Sequence, residues 1–226
     1  MHINQGKKVL ASIEQELKRC NEFYISVAFI TESGITPLLQ TLLELEEKNI
    51  PGRILTTDYL MFSKPRALEI LSSFKNIELK MYCTDTRDDG FHTKGYIFEK
   101  DEIYHIIIGS SNMTSRAITQ NKEWNTKIVG TKNGATIKNI LDEFENLWND
   151  EHTKSFDEFF DLYQTKYNII NKQRRIAKQS QIIDFEQYTL KPNKMQIAFI
   201  DNLKKMYKNG VEKALLISAT GTGKTY

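Results

Sequence analysis

Two side chains that can act on a phosphate group lie two residues apart near the middle of the sequence. His92 provides an imidazole, and Lys94 provides an ammonium group. Because side chains alternate between the faces of a β-strand, a strand beginning at Phe91 projects both groups from one face. A largely neutral imidazole can attack phosphorus, and the lysine stabilises developing negative charge. Alone, such a pair is more often a solvated strand face.

A short polar loop follows the next apolar strand. Gly109, Ser110, Ser111 and Asn112 directly follow the run Ile106–Ile108. Small residues with hydrogen-bonding groups allow a close approach to an anionic oxygen, so this loop is suited to hold a phosphoryl group. The same residues also fit a turn that caps a helix starting near Thr114. The two interpretations are compatible.

Asn121 and Glu123 lie two residues apart at the start of a further predicted strand. A carboxylate at this position can hydrogen-bond the imidazole of His92 and fix its tautomer. The alternative interpretation is a polar strand end.

These three groups together resemble the single-copy catalytic motif of phospholipase D-type nucleases. The matching residues are His92-x-Lys94, Gly109-Ser110-x-Asn112 and Asn121-x-Glu123, in the family's order and approximate spacing. The family often has an aspartate five residues after the lysine, where this chain has Glu99.

The resemblance implies a role for each matching residue. His92 would be the nucleophile that forms a phosphohistidine, and Glu123 would orient it. Lys94, Ser110 and Asn112 would bind the nonbridging phosphate oxygens. The family's chemistry uses no metal ion, and no metal-ligand spacing appears in the sequence. We therefore expect no cofactor for this domain and activity that survives chelators.

The full motif occurs once in the sequence. His152-Thr153-Lys154 is a second His-x-Lys triplet, but neither a Gly-Ser-x-Asn loop nor an Asn-x-Glu pair follows it, and His2 and His105 have no lysine two places on. In the family two such motifs face each other, and the second histidine protonates the leaving oxygen. The resemblance therefore implies a homodimer with the site at its twofold axis. His105 lies inside an apolar strand and is interpreted as a partly buried histidine whose hydrogen-bonding groups are satisfied.

The elements that must position these residues alternate between strands and helices. Helices are predicted at 7–20, 38–45, 65–74 and 135–149, and strands at 22–30, 53–57, 77–83, 91–98, 103–108 and 123–129. The charged turn Glu99–Glu102 indicates an antiparallel hairpin. The expected fold is α/β, with a phospholipase D-like mixed central sheet flanked by helices, over residues 1–150.

Residues 151–186 are predicted to form a helical linker. A basic cluster within it, Lys172, Arg174, Arg175 and Lys178, is interpreted as a solvated face and not as a DNA contact.

The last residues, Ala219–Thr225, resemble motif I of superfamily 2 helicases, a variant of the Walker A loop. The resemblance implies that Gly221, Gly223 and Lys224 bind the phosphates of ATP and that Thr225 holds magnesium. Gln196 resembles the glutamine that contacts adenine in these helicases. Residues 187–226 are therefore expected to be the incomplete start of a RecA-like helicase domain, with ATP and magnesium needed only by a complete helicase.

Composition limits the partners and the setting. The 226 residues include 31 basic and 29 acidic residues, so nucleic-acid binding must depend on a local surface. Cys20 and Cys83 fit no disulfide or metal framework and are interpreted as packing residues. No targeting or membrane-spanning segment is apparent, so we expect a cytoplasmic protein with no membrane partner.

The favoured function is a metal-independent DNA nuclease coupled to a helicase motor, in restriction, defence or DNA repair. Fusion to a motor that acts on nucleic acid favours DNA over phospholipid. Two alternatives are a lipid phosphodiesterase and a catalytically silent module for DNA binding and dimerisation.

Overall fold

The computed structural model of the protein describes residues 9–84, 91, 93–120, 123–182, 194–211 and 213. The chain divides into two compact units, 1–174 and 175–226. The described strands of the first unit are β1 (Glu22–Val27), β2 (Gly52–Thr57), β3 (Ile77–Tyr82), β4 (Lys94–Lys100), β5 (Ile103–Gly109), β6 (Asn125–Thr131) and β7 (Thr153–Ser155). The described helices are α1 (Val9–Leu17), α2 (Glu32–Ile35), α3 (Leu39–Glu47), α4 (Pro65–Ser72), α5 (Ala135–Trp148), α6 (Phe156–Ile182) and α7 (Lys194–Lys208), with single helical turns at Thr36–Leu38, Tyr59–Met61 and Arg116–Gln120.

The strands form one mixed sheet in the order β6-β5-β4-β1-β2-β3-β7. β1, β2 and β3 are parallel, and β4, β5, β6 and β7 pair with their neighbours in antiparallel fashion. This confirms the predicted α/β fold with a mixed central sheet. β4 begins at Lys94, whose ladder partner is Val27, and not at Phe91; β6 begins at Asn125 and not at Glu123.

One edge of the sheet collects the residues predicted for chemistry. We call it the carboxyl edge, because β1, β2 and β3 all end there. β4 runs antiparallel to β1, so it begins at this edge with Lys94. β5 then ends there at Gly109, and β6 begins there at Asn125. The topology thus brings together positions that are distant in sequence.

Helices cover both faces of the sheet. The amphipathic helices α1, α3, α4 and the first part of α6 bury their apolar stripes on one face, in a cluster that includes Ile13, Leu42, Leu68, Phe98 and Phe159. α5 packs on the opposite face, where Phe144 and Trp148 lie with Tyr24, Ile97 and Ile106. This double covering makes the sheet a rigid support for its edge.

A buried carboxylate joins α1 to the sheet. Glu16 is 5% exposed, and its Oε1 lies 2.6 Å from Nζ of Lys127 on β6. Its Oε2 lies 2.8 Å from Nδ1 of His105 on β5, a close contact without the geometry of a hydrogen bond. His105 is therefore partly buried, as interpreted, but its buried Nδ1 makes no well-directed hydrogen bond among the described residues.

The first unit extends to Arg174, past the predicted boundary at residue 150. β7 pairs with β3, and Phe159 and Tyr163 of α6 are buried in the core. The Tyr163 hydroxyl donates to the Ser63 carbonyl, 2.7 Å away. The segment predicted as a linker is helical, but its aromatic residues recur at helical spacing and cover the sheet. Its first half is therefore part of the domain.

The described part of the second unit contains α7, on which Ile197, Ile200 and Leu203 are exposed. Gln196 lies in the first turn of α7, but its side chain lies outside the described residues. Gly221, Gly223, Lys224 and Thr225 also lie outside them, so their nucleotide-binding roles stay predictions. Within the described ranges, none of the helices has the length and apolar character that crossing a membrane requires.

Candidate functional site

Lys94 lies at the start of β4 and is largely buried, with 9% of its surface exposed. Burial lowers the pKa of the Lys94 ammonium group, because the charged form loses water contact, and the carboxylate of Glu123 opposes this by raising it. Burial thus disfavours the charged form of Lys94, and a nearby anion such as a carboxylate or a phosphate stabilises it. This is the property that a phosphate-binding lysine needs.

Ser110 and Glu123 are joined directly. The Ser110 hydroxyl donates a hydrogen bond to Oε2 of Glu123. The backbone N–H of Trp124 donates to the same hydroxyl oxygen at 3.1 Å, and the Ser110 N–H donates to the Trp124 carbonyl at 3.0 Å. These hydrogen bonds join the end of β5 to the start of β6. The Ser110 side chain is exposed at the surface.

Gly109 makes this close approach possible. A Cβ atom added there would lie 2.1 Å from the Trp124 carbonyl oxygen and 2.3 Å from Oδ1 of Asn125. Only glycine fits that space without moving backbone.

Asn112 connects the loop to β1. Its Oδ1 accepts a hydrogen bond from the backbone N–H of Phe29 at 3.1 Å. The next residue, Met113, donates its N–H to the Phe29 carbonyl and accepts at its own carbonyl from Thr31 N–H, both at 3.1 Å. In this arrangement the side-chain oxygen of Asn112 positions the backbone, and its amide nitrogen carries the donor capacity for an anion.

Two further residues hold the loop, and the sequence interpretation missed both. The hydroxyl of Tyr96, which is 1% exposed, donates to the carbonyl of buried Ser111 at 3.0 Å. Burial raises the pKa of this phenol, so it remains a donor. The Ser111 hydroxyl accepts from Nδ2 of Asn125 at 2.9 Å. The signal for Tyr96 was its position two residues after Lys94, on the same strand face.

The structure brings Lys94, Ser110, Asn112 and Glu123 to the carboxyl edge. His92 and Asn121 lie outside the described residues, so the contact between Glu123 and the imidazole stays a prediction. Glu99, at the position where the family often has aspartate, lies near the opposite end of β4 and accepts from the N–H of Glu102 at 2.7 Å in the hairpin turn. It belongs to that turn and not to the site.

A separate cavity of about 320 Å³ opens beside α6, lined in part by Asp58, Met81, Cys83 and Tyr163. None of the described residues predicted for phosphate chemistry lines it. Asp58 there accepts from both the N–H and the hydroxyl of Thr84 at 2.8 Å. This cavity is therefore distinct from the group of residues around Lys94.

Comparison with protein families agrees with the mixed α/β fold. The family model described as "Cardiolipin synthase, PLD-like domain" matches residues 13–148, more than half of the chain. The chain belongs to the phospholipase D-like family. Membership supports a phosphodiesterase-type role for the first unit. Residues 189–226 match a second model, described as "Type III restriction enzyme, res subunit".

Solved structures of similar fold include NucT from Helicobacter pylori, 17% identical, with a TM-score of 0.50 over 66% of this chain and 91% of NucT. Phosphatidylserine synthase from Haemophilus influenzae Rd KW20 is 14% identical, with a TM-score of 0.47 over 75% of this chain and 43% of that protein. At these identities the likeness concerns the phospholipase D-like fold alone. No curated protein matches the chain.

Proposed function

We propose that the first unit is a metal-independent DNA phosphodiesterase, a nuclease, that acts through a phosphohistidine on His92. The observation that carries this proposal is the arrangement of Lys94, Ser110 and Glu123 at one edge of a phospholipase D-like sheet. A partly desolvated ammonium group and a serine held by a carboxylate provide the charge and the donor that a phosphoryl group requires.

The reaction proceeds in two displacements at phosphorus. The imidazole of His92 attacks, a nitrogen–phosphorus bond forms, and the bond from phosphorus to the leaving oxygen breaks. A second histidine donates its proton to that oxygen. Water then attacks the phosphohistidine while the second histidine takes up a proton, which releases His92 and a phosphomonoester. Lys94 stabilises the charge on the nonbridging oxygens in both steps.

We assign the second histidine to another copy of the chain, since only His92-x-Lys94 is followed by the remaining groups of the family motif. A homodimer with the carboxyl edges facing each other supplies both histidines to one phosphate. A twofold axis through the site makes the two histidines equivalent before substrate binds.

The second unit supports DNA as the substrate. Residues 189–226 match the family model described as "Type III restriction enzyme, res subunit", and they contain the motif Gly221-Thr222-Gly223-Lys224-Thr225. We propose that this segment begins a helicase motor in which these residues and Gln196 bind ATP and magnesium. A nuclease joined to such a motor suits restriction, defence against foreign DNA or DNA repair.

The test is cleavage of single- and double-stranded DNA in EDTA by the wild type and by the variants His92→Ala and Lys94→Ala. The matched controls are His105→Gln and Lys132→Ala, which remove an imidazole and an ammonium group away from the carboxyl edge. Chelator-resistant cutting that is lost in the first pair and retained in the second supports the proposal. Light scattering establishes that each sample has the same oligomeric state.

Parallel measurements of DNA binding and of phospholipid hydrolysis distinguish the two competing functions. Equal DNA binding by all variants with no cutting by any of them would indicate a silent binding module. Release of a phospholipid headgroup in place of DNA cleavage would indicate a lipid phosphodiesterase.

A further inference from the structure

Trp124 is the most exposed large apolar side chain in the described part of the chain, at 90% of its surface. Tryptophan is normally largely buried, because the indole ring contributes more apolar area than any other side chain. Its neighbours in sequence, Glu123, Asn125 and Thr126, are polar. The groups next to the ring indicate what it could bind.

Those surroundings are the phosphate site. The backbone of Trp124 exchanges two hydrogen bonds with Ser110, at 3.0 and 3.1 Å, and its carbonyl lies against Gly109. The indole is therefore attached to backbone that is fixed relative to the serine predicted to bind phosphate. A base next to a phosphate held by Ser110 and Lys94 lies within reach of this ring.

A second exposed aromatic ring lies on the other side of the same groups. Phe62, 44% exposed, packs edge-on against Phe29 with ring centres 5.1 Å apart, and the N–H of Phe29 donates to Asn112. The guanidinium carbon of Arg174 lies 4.6 Å from the Phe62 ring centre. This places an aromatic surface and a cation next to Asn112.

The order of strands gives the spacing along the carboxyl edge. Trp124 precedes β6, and Phe62 follows β2, with β5, β4 and β1 between them. Four inter-strand steps of about 4.8 Å separate the two positions by roughly 19 Å. The groups that bind phosphate lie between the two rings.

We propose that this edge binds a nucleic-acid strand with unpaired bases, and that Trp124 stacks on the base beside the phosphate held by Lys94 and Ser110. Phe62 with Arg174 forms the second platform. Bases inside a duplex have no free face for such a ring, whereas a single strand offers one at every nucleotide. The proposal rests on the phosphate site of the proposed function and adds the strand state of its substrate.

Intrinsic fluorescence tests the stacking directly, because the chain has two tryptophans and the other, Trp148, is buried at 4% exposure. The probes are an oligothymidylate of about 12 nucleotides and an abasic oligomer with the same number of phosphates. We expect oligothymidylate to quench the fluorescence of the wild type. The abasic oligomer should bind without quenching.

Variants separate the ring from the phosphate contacts. Trp124→Ala should bind oligothymidylate about tenfold to a hundredfold more weakly, the usual loss for one stacked base, with unchanged affinity for the abasic oligomer. Trp124→Phe should recover most of the loss. The control Val129→Ala alters another exposed apolar side chain of β6, 56% exposed, and should bind like the wild type.

Two results would overturn the proposal. One is equal binding of both probes by Trp124→Ala and the wild type. The other is loss of the dimer in light scattering of Trp124→Ala, which would assign the ring to a contact between copies. Gel analysis of the same samples reports cleavage separately. Quenching without cleavage would therefore leave the stacking site standing and reject the phosphodiesterase.

Discussion

Ser110 and Glu123, thirteen residues apart in sequence, are joined by a hydrogen bond from the serine hydroxyl to the carboxylate at the carboxyl edge of the sheet. The same carboxylate acts electrostatically on Lys94 and raises the pKa that burial lowers. Glu123 is thus coupled both to the hydroxyl and to the cation that we propose bind phosphate. Its charge should be visible in the pH dependence of the reaction.

Glu123→Gln should move the alkaline limb of the pH–activity profile to lower pH. The active form of Lys94 is the ammonium ion, so activity falls as pH rises through its pKa. Removing the carboxylate leaves burial unopposed and lowers that pKa further. The measurement is the initial rate of DNA cleavage against pH, normalised to each protein's maximum, with the exposed Glu143→Gln as control. An alkaline limb that stays in place would show that Lys94 does not titrate in this range.

Gly109→Ala should destabilise the protein, whereas Gly95→Ala should not. The added Cβ at 109 meets backbone at 2.1 Å, but a Cβ at Gly95 meets nothing within 4 Å. We expect a loss of about 1–3 kcal/mol in the free energy of unfolding for the first variant, together with loss of cleavage. Urea unfolding of both variants measures the difference. Equal stability of the two would mean that the loop can move away from Trp124.

Tyr96→Phe should reduce both stability and activity, because the buried carbonyl of Ser111 loses its donor. Tyr163→Phe is a matched control, since that hydroxyl also donates to a buried backbone carbonyl, at Ser63. Each variant should lose about 1 kcal/mol of unfolding free energy. Only Tyr96→Phe should also cleave DNA more slowly at temperatures where both proteins are folded. A parallel loss of activity in both variants would remove Tyr96 from the site.

Glu102→Gly should stabilise the first unit. Asp101 and Glu102 form the tight turn between β4 and β5 with φ values of 52° and 65°, in the left-handed region that glycine favours. We expect a gain of about 0.5–1 kcal/mol in unfolding free energy for glycine and none for Glu102→Ala, because alanine keeps the same steric cost. Cleavage should be unchanged, since the turn lies at the far end of β4. Thermal unfolding compares the three proteins.

Much of the fold could be predicted because the apolar periodicity is strong and local. The leucine-rich stretch of α3 and the paired strands β4 and β5 form within about three residues of their predicted bounds. The family motif likewise predicted that Lys94, Ser110, Asn112 and Glu123 act together, and all four lie at the carboxyl edge of the sheet. Both kinds of signal are contained in short stretches of sequence.

The residues that hold the site could not be read in this way. Tyr96 and Phe29 contribute through contacts with Ser111 and Asn112 that cross between strands, and such contacts depend on register. The extent of the first unit depends on contacts of the same kind. The aromatic spacing of α6 predicts a helix, but not that Phe159 and Tyr163 pack on the sheet.

This return of α6 has a consequence for synthesis of the chain. The part of this sheet face that α6 covers stays exposed until Phe159 and Tyr163 have left the ribosome, although every residue of the proposed phosphate site has been made by then. A nascent chain that has just passed Trp148 therefore presents an open apolar surface, the condition in which partly made domains aggregate or recruit chaperones. The first unit can complete its core only after α6 has emerged from the ribosomal exit tunnel. By that time the ribosome is already synthesising the second unit.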